Sequence, residues 1–290
     1  MKPQQEKIIR IDPFSDFGFK FFFGKENQSE PLLKDFLNDI FYDIRGFEPI
    51  KTVTFKPTVK VKDRPEEKGI INDITCETDS GHKFIVEMQN AGQDFFLKRA
   101  IYYVSDGISQ QGHKGSGDRD WEFNLKPVVG VFICNFRVRG VPEKLVTHAL
   151  LCDMDDGKPI GNYMHYVFIN ASLFNNTEEE CKTGFEMWMY ILKNMKSMQE
   201  IPFKDRKRQI YERLDQLSRY SAMTEEEQVE YESSLKWARD YNARMNTARR
   251  EGRAEGKWEM AAGLIEMNVD LDTISKASGI PVSDLKSKFS

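Results

Sequence analysis

Residues 69–91, GIINDITCETDSGHKFIVEMQNA, decide the fold. Two β-rich runs flank Asp79, Ser80 and Gly81, and strand, turn and strand in that order predict a hairpin. Side chains alternate across a strand, so Glu87 and Gln89 share one face and Met88 takes the other. A turn centred on Ser80 pairs residues whose numbers sum to 160, which sets Asp73 opposite Glu87. Directly opposite residues have Cβ atoms roughly 4.5–5.5 Å apart. Asp73, Glu87 and Gln89 then cluster on one face. A turn shifted by half a residue would break the cluster, so the register is the assumption to test.

Two carboxylates that close repel each other unless a cation sits between them. Oxygen donors and negative charge suit Mg²⁺ or Mn²⁺. Such an ion can activate water and stabilise charge on a phosphoryl group. The competing reading is a solvated acidic strand face.

Outward from the hairpin, Ser29 and Pro31 suit a helix start. Leu32, Leu33, Phe36, Leu37, Ile40 and Phe41 then share a face, with the helix ending near Gly46. Ile50 to Val61 is strand-like, and Lys62 to Lys68, with Pro65, reads as a loop. After the hairpin, Leu97, Ala100, Ile101, Val104 and Ile108 mark the buried face of a helix. Gly112 to Gly117 reads as a loop. PVVGVFICNF (127–136) is a short apolar run that predicts a buried strand, and 145–152 and 164–170 are further strand candidates. From Thr177 onward the pattern is helical, with an apolar stripe at Phe185, Trp188, Met189, Leu192 and Met195 and a highly charged helix over 224–258. The last thirty residues predict helix (260–267), turn, helix (271–278), a Gly279 cap and a third short helix from Pro281 and Ser283. Helix–turn–helix outlines serve DNA-reading motifs and plain helical hairpins alike. The expected fold is α/β: a mixed central sheet flanked by helices in residues 1–176, then a helical region, 177–290, ending in a helix-turn-helix-like segment.

Bulk composition fits a globular chain: of 290 residues, 40% are hydrophobic and 30% charged. No apolar run approaches the ~20 residues that span a bilayer, and MKPQQEKIIRIDPF is not a secretory signal, so the expected location is the cytoplasm. Cys76, Cys134, Cys152 and Cys181 form no CxxC pair, and His82, His113, His148 and His165 lack ligand spacing. Net charge is −4, mildly against a nucleic-acid binder. Basic clusters at Lys204, Arg206, Lys207 and Arg208, and at Arg239, Arg244, Arg249, Arg250, Arg253 and Lys257, are interleaved with acids and read as solvated helix faces.

One set of segments adds a family. Asp16-FGFK-FFFG, Phe36-LND, IND73I, IVE87MQ89 and Phe96-LKR-AIYYVSD, in this order, resemble the Rpn group of PD-(D/E)XK nucleases, the recombination-promoting nucleases also described as transposases. The tail IEMNVDLDTISKASGIPVSDL resembles the one often found in that group. The resemblance implies a restriction-endonuclease-like fold and Mg²⁺- or Mn²⁺-dependent DNA endonuclease activity linked to recombination or transposition. By position, Asp73 and Glu87 would be metal ligands. Gln89 stands where the wider superfamily keeps lysine; its amide can orient water but carries no charge. Lys20 is the candidate substitute cation, and Asp16 a candidate third acid, each with a surface or salt-bridge role in competition. Arg99 could contact phosphate and Tyr102 could pack against the site, as DNA-contacting residues of the following helix. The partner implied is DNA, with a homodimer as a further expectation. A non-catalytic DNA-binding or transposition accessory protein and a protein-interaction module are the rival readings.

Overall fold

In the computed structural model, residues 8–42, 44, 47–57, 73–113 and 124–289 are described. Compactness divides the chain into one unit up to Tyr231 and a second from Glu232. The composition shift at residue 176 is not that division. Helices α4 (Gly184–Asn194) and α5 (Arg208–Leu217) pack on α2 (Glu26–Phe41) inside the first unit. No helix of the described residues is long and apolar enough to cross a membrane.

The first unit is built on a six-stranded mixed sheet, β1 (Val53–Lys56), β2 (Ile74–Thr78), β3 (Lys83–Gln89), β4 (Val128–Cys134), β5 (Val146–Ala149) and β6 (Met164–Asn170), in the order β1-β2-β3-β4-β6-β5. The hairpin has the expected register: Ile74 pairs with Val86 and Thr75 with Ile85. Gly81 closes the turn at φ 81°, a conformation that favours glycine. β3, β4 and β6 run parallel, while β1 and β5 pair antiparallel to their neighbours on the two edges. Helix α3 (Phe96–Ser109) links β3 to β4, as a parallel pair requires. All of β4 is buried, the mark of a strand covered on both faces.

On one face α3 packs against Ile85, Val128, Phe132 and Phe168 through Phe96, Ala100 and Val104. The approach is close because Gly130 has no side chain. A Cβ there would lie 2.5 Å from the Phe132 ring and 2.7 Å from Val104. The other face carries α2, whose Phe41 meets Phe84 edge-on. Beyond it, Phe23 of α1 (Asp16–Phe23), Phe36, Trp188 and Tyr211 form an aromatic layer joining α1, α2, α4 and α5. Residues 8–12 are tied to this layer by Arg10. Its buried guanidinium donates to Asp215, Ser218 and the carbonyls of Met198 and Gln199.

Three sequence expectations shift. α2 begins at Glu26 rather than at Ser29: Ser29 sits in the first turn, where its Oγ accepts the Lys25 N–H at 3.0 Å. It caps backwards from within the helix, and Pro31 lies inside rather than at the start. Helix α2 ends at Phe41, so Gly46 lies outside the described residues, as do 58–72 and most of the Gly112 to Gly117 loop. Ile101 is exposed; Phe96 and Gly107, one turn to either side of Ala100 and Val104, complete the buried face instead. Lys207 of the first basic cluster binds Asp35 and Asp39, and Arg208 binds Glu212.

The second unit holds the rest of α6 (Glu225–Glu266), α7 (Leu271–Ser278) and α8 (Val282–Phe289). Ala261, Ile274, Ile280 and Leu285 form its small core. Asp270 caps α7 by accepting the Thr273 N–H, and Gly279 ends it at φ 69°, as the tail's spacing predicts.

Candidate active site

The hairpin register carries the site. One residue beyond the Ile74–Val86 pair, Asp73 and Glu87 face each other and lock together through the backbone. The Asp73 N–H donates to Glu87 Oε1 at 3.1 Å, and the Met88 N–H donates to Asp73 Oδ2 at 3.0 Å. Glu87 is 2% exposed although β3 is otherwise a core strand. Gln89, two residues on and hence on the same face, donates its amide to Glu87 Oε2 at 3.2 Å.

Two cations face this pair, one at each acid. Helix α1, capped by Ser15, presents Lys20, whose Nζ is 3.5 Å from Asp73 Oδ1 and 2.8 Å from Asp16 Oδ1. Arg99, near the start of α3, donates to Glu87 Oε2 at 3.3 Å and to Gln93 Oε1 at 3.0 Å. Its guanidinium lies over the Phe96 ring at 4.9 Å and near Tyr103 at 5.6 Å, which holds it toward the acids. Arg99 Nε is buried and has no hydrogen-bond partner among the described residues.

Burial pushes the Glu87 carboxyl above its usual range, and the neighbouring Asp73 pushes it further; Arg99 only partly offsets them. Burial likewise raises Asp73, against the pull of the Met88 N–H and Lys20. Burial disfavours the charge on Lys20, but Asp16 and Asp73 outweigh it, so its pKa lies above normal and the ammonium persists at neutral pH. Burial thus holds both acids above the usual carboxylate range although each has a cation beside it.

Of the residues singled out in the sequence, Asp16, Lys20, Asp73, Glu87, Gln89 and Arg99 come together. Asp16 does so only across Lys20: it is largely exposed, at the first turn of α1. Among the described residues no group of three His, Cys, Asp or Glu side chains is placed to hold a metal. Tyr102 is not brought to the site; it is exposed on the outer side of α3. Tyr103 and Gln93 take part instead. Tyr103 lies four residues after Arg99, a neighbour by helical spacing. That spacing was readable once Ala100 and Val104 were assigned to the core. Gln93 lies before the helix and had no such signal.

The comparison with known proteins bears on the same residues. A model of the PD-(D/E)XK nuclease family transposases matches residues 13–248. The chain belongs to this family. No curated protein and no solved structure matches. The match spans α1, the hairpin and α3, so the cluster lies within the PD-(D/E)XK region, and the mixed sheet flanked by helices fits a restriction-endonuclease-like fold. A nuclease- or transposase-related function follows for the chain, with DNA as the substrate that a nuclease family implies.

The donors suit the divalent metal that such nucleases generally use. Mg²⁺ is usually bound by one or two carboxylates, with water and substrate phosphate completing its shell. Asp73, Glu87 and the Gln89 amide oxygen offer hard oxygen donors.

Proposed function

We propose that the protein is a cytoplasmic, divalent-metal-dependent DNA endonuclease linked to recombination or transposition, with Asp73 and Glu87 as the metal ligands. The observation that carries this reading is the apposition of two buried carboxylates with raised pKa values at the end of the hairpin, between Lys20 and Arg99. Carboxylates whose pKa values are shifted by burial and a specific charge partner cluster at functional sites.

When bound, a Mg²⁺ or Mn²⁺ ion would lower the pKa of water and neutralise charge on the scissile phosphate. The chain's own residues do the rest. Gln89 orients the attacking water through its amide. Lys20 supplies the cation that Gln89 lacks, donating to the water or to a phosphate oxygen, and Asp16 holds its ammonium in place. Arg99 grips a phosphate oxygen through the guanidinium donors that Glu87 and Gln93 leave free.

The accessory-protein reading has one observation in its favour: a neutral Gln89 at the position of a catalytic cation. Lys20 at 3.5 Å from Asp73 answers it. Nicking of supercoiled plasmid tests the choice. The wild type is expected to nick with Mg²⁺ or Mn²⁺ and to stop with EDTA. Glu87→Gln, which keeps the side chain's shape, is expected to fall to background without a lower melting temperature in EDTA. A folded wild type that binds DNA but never cleaves would assign the accessory role.

A further inference from the structure

Helix α3 opens on a residue that helix chemistry does not choose. Its N-cap is Phe95, at φ −97° and ψ 9°, and no side-chain hydrogen bond caps the first turn. Ser, Thr, Asp and Asn lead at this position because a side-chain oxygen there accepts a free N–H. A phenyl ring cannot accept it, and this ring is 58% exposed, so burial repays little of the loss. Phe96, the next residue, is 1% exposed and holds α3 to the core through the rings of Phe132 and Phe136. The core thus accounts for Phe96 and leaves Phe95 unexplained.

Its place in the fold supplies a use. Phe95 follows Gln89 by six positions and precedes Arg99 by one helical turn, the Arg99 N–H donating to the Phe95 carbonyl at 3.1 Å. Residues four apart on a helix are surface neighbours, with Cβ atoms about 5–6 Å apart. Arg99 meets Glu87, so Phe95 stands on the rim of the acidic pair with its ring in water. Lys98 is exposed beside it. We propose that Phe95 is a stacking platform for an unpaired base next to the scissile phosphate, which makes DNA with single-stranded nucleotides at the cut the preferred substrate. This inference rests on the nuclease reading above. Arg99 takes the phosphate, Phe95 the face of the adjoining base, and Lys98 the phosphate beyond. Every base has a π-face, so the platform selects strandedness rather than sequence. In an intact duplex that face is covered by the neighbouring base pairs. Uncovering it costs unstacking energy, least where the base is mismatched or already single-stranded. Negative supercoiling favours strand opening, so a supercoiled plasmid offers such nucleotides too.

The test uses the full chain and three labelled DNAs of one sequence: a single strand, a blunt duplex, and a duplex with a central unpaired bubble. Binding is followed by fluorescence anisotropy in EDTA, and single-turnover cleavage with Mg²⁺. The wild type is expected to cut the single strand and the bubble at least ~10-fold faster than the duplex, the bubble at its unpaired nucleotides. Phe95→Leu, apolar but without a π-face, should weaken single-strand binding about 10- to 100-fold, and Phe95→Trp should keep it. Phe95→Ser restores a capping oxygen, so it should raise the melting temperature while losing the same preference. Opposite movements of the two readouts separate recognition from folding. A wild type that cuts the duplex as readily as the single strand overturns the proposal and leaves the nuclease reading standing. So does a strandedness preference that Phe95→Leu and Phe95→Ser retain. Single-strand binding through Phe95 with no cleavage of any of the three DNAs overturns the nuclease reading and keeps the platform. Neither binding nor cleavage overturns both.

Discussion

In the proposed mechanism Lys20 and Gln89 divide between them what one lysine does in the wider superfamily. Lys20 brings charge from a different element, α1, and is held by Asp16; Gln89 brings hydrogen bonding from β3. On that reading each acts on the transition state, so Lys20→Ala and Gln89→Ala should each slow single-turnover cleavage by roughly 10²–10³. Metal affinity by calorimetry should stay nearly unchanged for Gln89→Ala. Gln89→Lys should retain activity and partly rescue Lys20→Ala, because it returns the cation to the strand. If Lys20→Ala cleaves at the wild-type rate, Lys20 is a surface ion pair and no more. His165 makes a different residue-scale prediction. Burial and the neighbouring His148, 3.1 Å away, hold its pKa down to about 4. In the unfolded chain it protonates near 6.5. Between these values the unfolded state binds more protons, so its contribution is full above pH 6.5 and is lost as pH falls toward 4. The loss is roughly 3 kcal/mol at most. Melting from pH 7.5 to 4.5 should therefore show a steeper fall for the wild type than for His165→Gln.

Helix α3 owes its seat to a missing side chain. Gly130 lets Val104 and the Phe132 ring close over β4, and that contact sets the height at which Arg99 meets Glu87. Gly130→Val should push α3 outward, cost on the order of 1–3 kcal/mol from overpacking, and weaken DNA cleavage more than Gly130→Ala does. Equal stability for wild type and Gly130→Val, by urea unfolding, would show that α3 has room to spare. The sequence exposed much at this scale. Hairpin register followed from alternation and turn chemistry, β4 from its continuous apolar run, and the end of α7 from its Gly279 cap. Site positions legible from that register were Asp73, Glu87 and Gln89; Lys20 and Arg99 came through the family resemblance. Helical phase was harder. The apolar spacing turns Ile101 inward and the resemblance sets Tyr102 beside Arg99, yet Phe96 and Gly107 fix the phase that turns Tyr103 toward Arg99 and leaves both outside. Glycine at a packed interface gives no hydrophobic signal, so Gly107 could not be seen as core. The start of α2 was hidden for a similar reason: Ser29 caps Lys25 from within the helix, and nothing in the residue types says in which direction a serine caps.

At the scale of the whole molecule, composition changed at residue 176 but the core did not. Trp188 and Tyr211, from beyond that point, close the aromatic layer over Phe23 and Phe36, and Arg10 ties residues 8–12 to α5. A chain ended after residue 231 should melt cooperatively. One ended after residue 176 should aggregate, because it uncovers those rings and strips Arg10 of its partners. Cooperative melting of the shorter chain would return the boundary to the composition shift. The central claim concerns what lies between Asp73 and Glu87, and anomalous diffraction from a crystal soaked in Mn²⁺ tests it most directly. The account predicts a peak roughly 2.0–2.2 Å from an oxygen of each carboxylate, absent in Glu87→Gln. A saturating soak with no peak there, the two acids still joined to Lys20 and Arg99, would contradict it.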